Sequence, residues 1–251
     1  LKVKVSIVSY SNTLPFLYGL KHSPIINDME LSLDIPSKSA EKLLTNQVDI
    51  GLVPVAILPE LPEYHILTDY CIGANQKVNS VILVSDVPLE EMEEILLDYQ
   101  SKSSINLVQV LAKNYWKISP KFTPATVGFE NQVGGKTAAV IIGDRTFNLS
   151  KPYQYIYDLA EEWYKFTGLP FAFACWVANK PIAPEFVEKL NQALAFGVDH
   201  IQESIELSNN NGITFDQLQN YLTNDISYEL DDDKRKSIQL FLDFLAENVN
   251  I

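Results

Sequence analysis

The stretches VKVSIVSYSNTLPF (residues 3–16), ELSLDIPSKSAEKLL (30–44) and DIGLVPV (49–55) decide the fold. Val3, Val5 and Ile7 alternate with Lys4 and Ser6 as a strand requires. Ser9-Tyr10-Ser11-Asn12-Thr13 then supplies polar helix-start chemistry ahead of Leu14-Pro15-Phe16-Leu17. The second stretch repeats the pattern, with a strand at about 29–35, Ser37 as a helix cap, and Ala40, Leu43 and Leu44 as the apolar stripe of a helix ending near Asn46. The third is a strand closed by its own Pro54. Strand, helix, strand, helix, strand within 55 residues means an α/β layer with a largely parallel sheet.

Outward from this unit, strands are expected at about 64–73 and 80–85, the latter containing the continuous apolar run Val81-Ile82-Leu83-Val84. The pattern then restarts. A strand at Ile95 to Tyr99, the turn Ser101-Lys102-Ser103-Ser104 and a helix with Leu107, Val108, Leu111 and Tyr115 on one face begin a second α/β unit. Strands at 122–126 and 138–142, a helix from Asp158 to Phe166 stopped at Gly168, and the strand 171–177 complete it. The tail reads as helical: 184–207 as one amphipathic helix, a turn at Asn209-Asn210-Asn211-Gly212, a capping box at Thr214 and Gln217, and a last helix opened by Asp231-Asp232-Asp233. The expected organisation is two lobes, 1–86 plus 178–251 and an inserted 87–177, with the ligand cleft between them and the C-terminal helices on the first lobe.

The chain has 251 residues, 47% hydrophobic and 20% charged, enough to bury a sizeable core. Nineteen Lys and Arg against 32 Asp and Glu give a net charge of −13, which repels a phosphate backbone or an anionic membrane and favours a small-molecule partner over nucleic acid or membrane. Oligomeric state is not legible. Cys71 and Cys175 lie in apolar runs without CxxC spacing and read as buried thiols of a reducing compartment. The three histidines form no metal-binding pattern, so no metal is expected. No apolar run reaches the roughly 18 to 20 residues of a membrane span. The opening strand reads as the start of a cytoplasmic chain.

In a two-lobed α/β protein the ligand sits beyond the strand ends, which points to 9–13, 54–56, 79–80, 101–104 and 143–144. The turns at 9–13 and 101–104 each offer unpaired backbone N–H groups beside hydroxyls, a way to hold a carboxylate without arginine, of which the chain has only Arg145 and Arg235. Gly143-Asp144 places a carboxylate at the cleft edge. Trp163, Trp176, Tyr10 and Tyr157 suit either the core or a flat ligand. Gly134-Gly135-Lys136-Thr137 lacks the upstream glycine of a phosphate loop, and no Ser-His-Asp or Cys-His set can be assembled. Such a site works by positioning a substrate and moving one proton and one leaving group.

Taken together, SYSNTLPFLYGL (9–20), IPSKSAEKLLTNQVDIGLVPV (35–55), NSVILVSDVPLEE (79–91), AAVIIGD (138–144) and YIYDLAEEWYKFTGLPFAFACWVA (155–178) resemble the chorismate dehydratase family of the futalosine route to menaquinone. The segments occur in the family's order. The resemblance implies a periplasmic-binding-protein-like type II fold that removes water from chorismate, giving 3-[(1-carboxyvinyl)oxy]benzoate, with no cofactor.

By position in the family's motifs, Asn12 and Ser80 are expected nearest the chemistry, Asn12 stabilising anionic character or holding the leaving hydroxyl and Ser80 anchoring a carboxylate. Ser103 and Ser104, with the N–H groups behind them, would hold the other carboxylate and Asp144 would face the ring hydroxyl, with Ser9, Tyr10, Thr13, Pro54, Val55, Asn79, Ser101 and Gly143 lining the site. A substrate carboxylate is the expected proton acceptor. Ser11 stands where the family has an apolar residue, and the turn 101–104 lacks a threonine often found there. Two other readings share the fold. A 1,4-dihydroxy-6-naphthoate synthase would need a strong base such as a cleft histidine, and no histidine lies on a cleft segment. A transporter's solute-binding protein would need a leader or a lipid-anchoring cysteine.

Overall fold

The computed structural model describes residues 2–208 and 212–249; the turn read at 209–211 lies outside the described residues. In chain order the strands are β1 (Val3–Val8), β2 (Met29–Asp34), β3 (Ile50–Pro54), β4 (His65–Ala74), β5 (Val81–Ser85), β6 (Glu94–Leu97), β7 (Lys121–Pro124), β8 (Thr137–Ile142), β9 (Tyr155–Asp158), β10 (Phe171–Ala178) and β11 (Ser227–Glu229). The α-helices are α1 (Leu14–His22), α2 (Pro36–Leu44), α3 (Lys102–Leu111), α4 (Leu159–Thr167), α5 (Pro184–Asp199), α6 (Ile201–Glu206), α7 (Phe215–Asn220) and α8 (Asp232–Val249). One sheet has the order β2-β1-β3-β10-β4-β11, the other β7-β6-β8-β5-β9.

The two sheets share one plan. In the first, β2, β1 and β3 run parallel and β10 lies antiparallel between β3 and β4; in the second, β7, β6 and β8 run parallel and β5 lies antiparallel between β8 and β9. The antiparallel strand is in each case the one by which the chain arrives from the other lobe. This shifts the expected boundaries: 81–85, placed at the end of the first lobe, belongs to the second sheet, and 171–178, mostly assigned to the inserted lobe, belongs to the first. An apolar run buried on both faces carries no mark of the sheet it serves. Leu83, Val140 and Ile142 enter the main core, while Ile82, Val84, Ala139 and Ile141 meet Phe129, Val133 and Tyr153 on the opposite face.

The helix expected over 184–207 is two, broken at His200, whose backbone (φ −124°, ψ 43°) leaves the helical region. The apolar stripe continues across the break, so periodicity does not register it. Ser37 is not the cap of α2: Ile35 takes that place, Pro36 opens the helix, and the Ser37 N–H goes to the Gln100 carbonyl. At the crossing of α1 and α5, Gly19 faces Ala193 and Gly197 so closely that a Cβ on Gly19 would lie 1.9 Å from the Ala193 carbonyl oxygen. The last helix packs Phe241 against Trp163 of α4 and Phe171 of β10, and Ser237 accepts the Trp163 indole N–H at 2.9 Å. Both Trp163 and Trp176 are core residues. Among the described residues no helix is long and apolar enough to cross a membrane.

Both interlobe crossings are tied by one side chain. Buried Asp158 accepts the Val78 and Asn79 N–H groups on one carboxylate oxygen (3.0 and 2.6 Å) and, as the cap of α4, the Ala160 and Glu161 N–H groups on the other (3.0 and 3.1 Å). Asn79 is held there at φ 60°, a left-handed conformation unusual for a residue other than glycine.

The lobes are latched shut across the cleft mouth. Asp144 receives the Ser11 N–H (3.1 and 3.2 Å to its two oxygens) and the Ser11 hydroxyl (3.0 Å). The Ser103 hydroxyl, on α3, donates to the Phe173 carbonyl (2.9 Å) and accepts the Ala56 N–H (3.2 Å).

Two predictions follow from these ties. Asp158→Asn turns one acceptor into a donor facing two N–H groups and should lower the unfolding free energy by about 3 kcal/mol, measured by urea titration; a loss under about 1 kcal/mol would refute the double tie. The second concerns pH. Burial raises the Asp144 pKa above the ordinary carboxylate value, against the pull of its bonds to Ser11. As pH falls, the folded chain therefore takes up this proton before the unfolded chain does, so the Asp144 contribution to stability grows from neutral pH down to about pH 4 and is lost as pH rises through the folded pKa. The stability of the native chain relative to Asp144→Asn should increase over that window; an unchanged or opposite difference in paired denaturant titrations would contradict it.

Candidate active site

A pocket opens beyond the C-terminal ends of the parallel strands of both sheets, where such sheets bind ligands. Tyr10 and Asn12 reach it from the turn after β1, Pro54 from the end of β3, Ser80 from the crossing into β5, Ser101 and Ser104 from the start of α3, and Gly143 from the turn after β8. Val8, Pro36, Ile72, Val78, Val81, Ile142, Phe173 and Ala174 complete an otherwise apolar wall. With the lobes latched, the cavity volume is about 50 Å³, room for a few water molecules. A ring-sized ligand therefore enters only when the lobes part.

Two polar side chains dominate the wall. The Asn12 Oδ1 is buried without a hydrogen-bond partner, while the Asn12 backbone carbonyl accepts the Tyr228 hydroxyl at 2.9 Å. Ser80 is buried, and its Oγ accepts a 2.6 Å hydrogen bond from the Tyr221 hydroxyl. On the α3 side Ser101 caps the helix: its Oγ accepts the Ser104 N–H at 3.4 Å and the Ser104 hydroxyl at 3.2 Å. The first-turn N–H groups of a helix have no partner within it, so this start presents donors and partial positive charge to the pocket.

Tyr10 packs its ring on Gly143 across the lobe boundary. Gly143 has φ 64°, and a Cβ there would meet the Tyr10 ring at 2.9 Å, so glycine is required on both counts. The Tyr10 hydroxyl donates to Gln100, and burial together with the nearby Asp98 carboxylate pushes its pKa up, keeping the phenol neutral. Arg145 turns away from the pocket to Asp98 and to Glu130 (2.7 Å). No lysine, arginine, histidine, aspartate or glutamate is among the described residues lining the pocket. Nor does any group of three or more His, Cys, Asp or Glu side chains among the described residues gather as a metal site.

Of the residues singled out from sequence, Tyr10, Asn12, Pro54, Ser80, Ser101, Ser104 and Gly143 thus meet in one pocket. The others do not line it. Ser9 is exposed, with its N–H on the Asp34 carbonyl, and the Thr13 hydroxyl folds back on the Val8 and Tyr10 carbonyls. Val55 is core, Asn79 is exposed at the hinge, and Ser103 straps α3 to the first lobe. Asp144 is committed to Ser11, and it occupies the N–H group that the 9–13 turn was expected to offer a ligand. Tyr221 escaped the sequence reading. It lies 141 residues from Ser80, in a helical tail whose apolar spacing marks it only as core.

The model of the family described as menaquinone biosynthesis matches residues 3–247. A Thermus thermophilus protein named chorismate dehydratase is 24% identical over 94% of this chain and 93% of its own length. One of the same name from Campylobacter jejuni is 31% identical over 72% of this chain and 71% of its own. Among solved structures, an Archaeoglobus fulgidus protein superposes with a TM-score of 0.78 at 13% identity, covering 100% of this chain and 98% of that one. The periplasmic aliphatic sulphonate binding protein of Escherichia coli gives 0.61 at 15% identity, covering 100% and 88%. The fold is therefore that of the periplasmic binding proteins, and the chain belongs to the menaquinone biosynthesis family.

Proposed function

We propose that this protein is a chorismate dehydratase, removing water from chorismate to give 3-[(1-carboxyvinyl)oxy]benzoate. The observation that carries the reading is the unpaired, buried Asn12 Oδ1 beside Ser80 and the start of α3, in a pocket without a charged side chain. The names of the two relatives support it.

Chorismate brings a ring hydroxyl and two carboxylates. The ring hydroxyl donates to Asn12 Oδ1, which gives that buried acceptor its partner. One carboxylate takes the Ser80 O–H, and the other takes the uncapped first-turn N–H groups of α3 and the Ser101 O–H, whose proton is free because its oxygen accepts from Ser104. In this arrangement Asn12 has the ring-hydroxyl role first expected of Asp144, and Ser103 serves the structure.

The C–H bond at the ether-bearing carbon breaks and its electron pair forms the ring double bond that completes the aromatic system, while the C–O pair leaves with the neighbouring hydroxyl. A proton and a hydroxide leave as water, so no oxidant is required. With Tyr10 held neutral, the pocket supplies no base, and the carboxylate of the substrate's own side chain takes the proton and passes it to the departing hydroxide, giving water. Fixed dipoles around the ring stabilise the charge that develops as the proton departs. A cytoplasmic location belongs to the same reading: Cys71 and Cys175 sit opposite each other on β4 and β10 as buried, free thiols, the form a reducing compartment maintains.

The test is to incubate the purified protein with chorismate in metal-free buffer, follow the loss of absorbance and weigh the product. Loss of one water is expected, and Asn12→Ala should lower kcat by about 100-fold while chorismate binding changes little. Undiminished turnover in Asn12→Ala would sink the Asn12 assignment. Tight binding with chorismate intact would make the protein a solute-binding protein.

A further inference from the structure

Tyr221 opens the turn that follows α7, and its side chain is interior, yet its hydroxyl reaches the wall of the pocket. The ring is held edge-on by Phe147 at 5.0 Å between centroids and 76° between planes. The hydroxyl donates to Ser80 Oγ at 2.6 Å. Burial raises the Tyr221 pKa, so the phenol keeps its proton across the working range.

Hydrogen-bond arithmetic gives this arrangement a direction. A tyrosine hydroxyl has one proton, here on Ser80 Oγ, and a serine oxygen that has accepted a proton still carries its own. With the Tyr221 side of Ser80 filled, that proton is left for the pocket. The phenol thereby fixes Ser80 as a donor toward the pocket, in the same wall as the unpartnered Asn12 Oδ1.

We propose that Tyr221 is a positioning residue that holds Ser80 as a hydrogen-bond donor to a ligand carboxylate. The inference rests on the dehydratase reading and adds to it a residue from outside the pocket lining. Without the phenol hydroxyl, Ser80 is free to rotate and to donate to a backbone carbonyl.

The experiment is Tyr221→Phe, which keeps the ring against Phe147. Under conditions where the native protein turns over chorismate, kcat should fall by about 10- to 100-fold with the melting temperature within about 5 °C of native. Ser80→Ala should be strongly impaired alone but cost less than about threefold more when added to Tyr221→Phe, because the two act as one unit. A kcat within about threefold of native in Tyr221→Phe, or full multiplication of the two losses, would overturn the proposal. A lowered melting temperature with unchanged kcat would assign Tyr221 to structure alone. Should Tyr221→Phe not fold, Phe147→Leu loosens the ring and keeps the hydroxyl; a smaller fall in kcat is then expected, and an unchanged kcat overturns the proposal. If the native protein leaves chorismate intact, the dehydratase reading fails by itself, and the crystal structure of Tyr221→Phe decides the positioning: a Ser80 rotamer turned from the pocket supports it and an unmoved one refutes it.

Discussion

A single buried carboxylate governs the geometry of this cleft. Asp158 binds four backbone N–H groups, two from the chain leaving the first lobe and two from the helix that leads back to it. Because both crossings meet on one side chain, the position of each is fixed by the other. Asn79 is kept in its left-handed conformation by this contact, and the residue after it is Ser80, so the direction in which Ser80 leaves the hinge is set by the same bond. Four donors also explain how a carboxylate persists in the interior, where an unpaired one would be strongly disfavoured.

The same economy of charge runs through the whole site. The chain carries a net charge of −13, yet the acids near the pocket are each engaged by a donor: Asp144 by Ser11, Asp98 by Arg145 and the Gln100 N–H, Asp158 by the hinge. Arg145 is in turn neutralised by Asp98 and Glu130. An anionic ligand in the pocket therefore meets hydroxyls and the start of a helix, with the local positive potential supplied by backbone dipoles.

How much of this was legible depended on how local the cause was. The strand-turn-helix units were readable because alternation and polar caps lie within a few residues, and the polar pocket residues were found because they lie just after a strand or, for Ser80, just ahead of one. The sheet to which β5 and β10 belong was hidden, since Val81–Val84 and Phe171–Val177 are apolar on both faces. The break at His200 was hidden because the apolar stripe runs through it. Asp144 and Ser103 lie on the right segments, but a polar side chain at a cleft edge serves a ligand or the opposite lobe equally well, and only the partner across 133 or 70 residues decides. Tyr221 had no local signal at all: its importance comes from where its hydroxyl ends, not from its neighbours in sequence.

The Ser11 to Asp144 latch has a kinetic meaning. A cleft shut by its own hydrogen bonds admits a ligand only during openings, so capture is gated by the frequency of lobe separation and falls below the rate of diffusive encounter. A bound ligand that touches both lobes takes over from the latch, which lengthens residence and keeps bulk water from a developing charge. A reactive ring is then held for as long as its slowest bond cleavage requires, and product escape waits on the same opening that admitted the substrate.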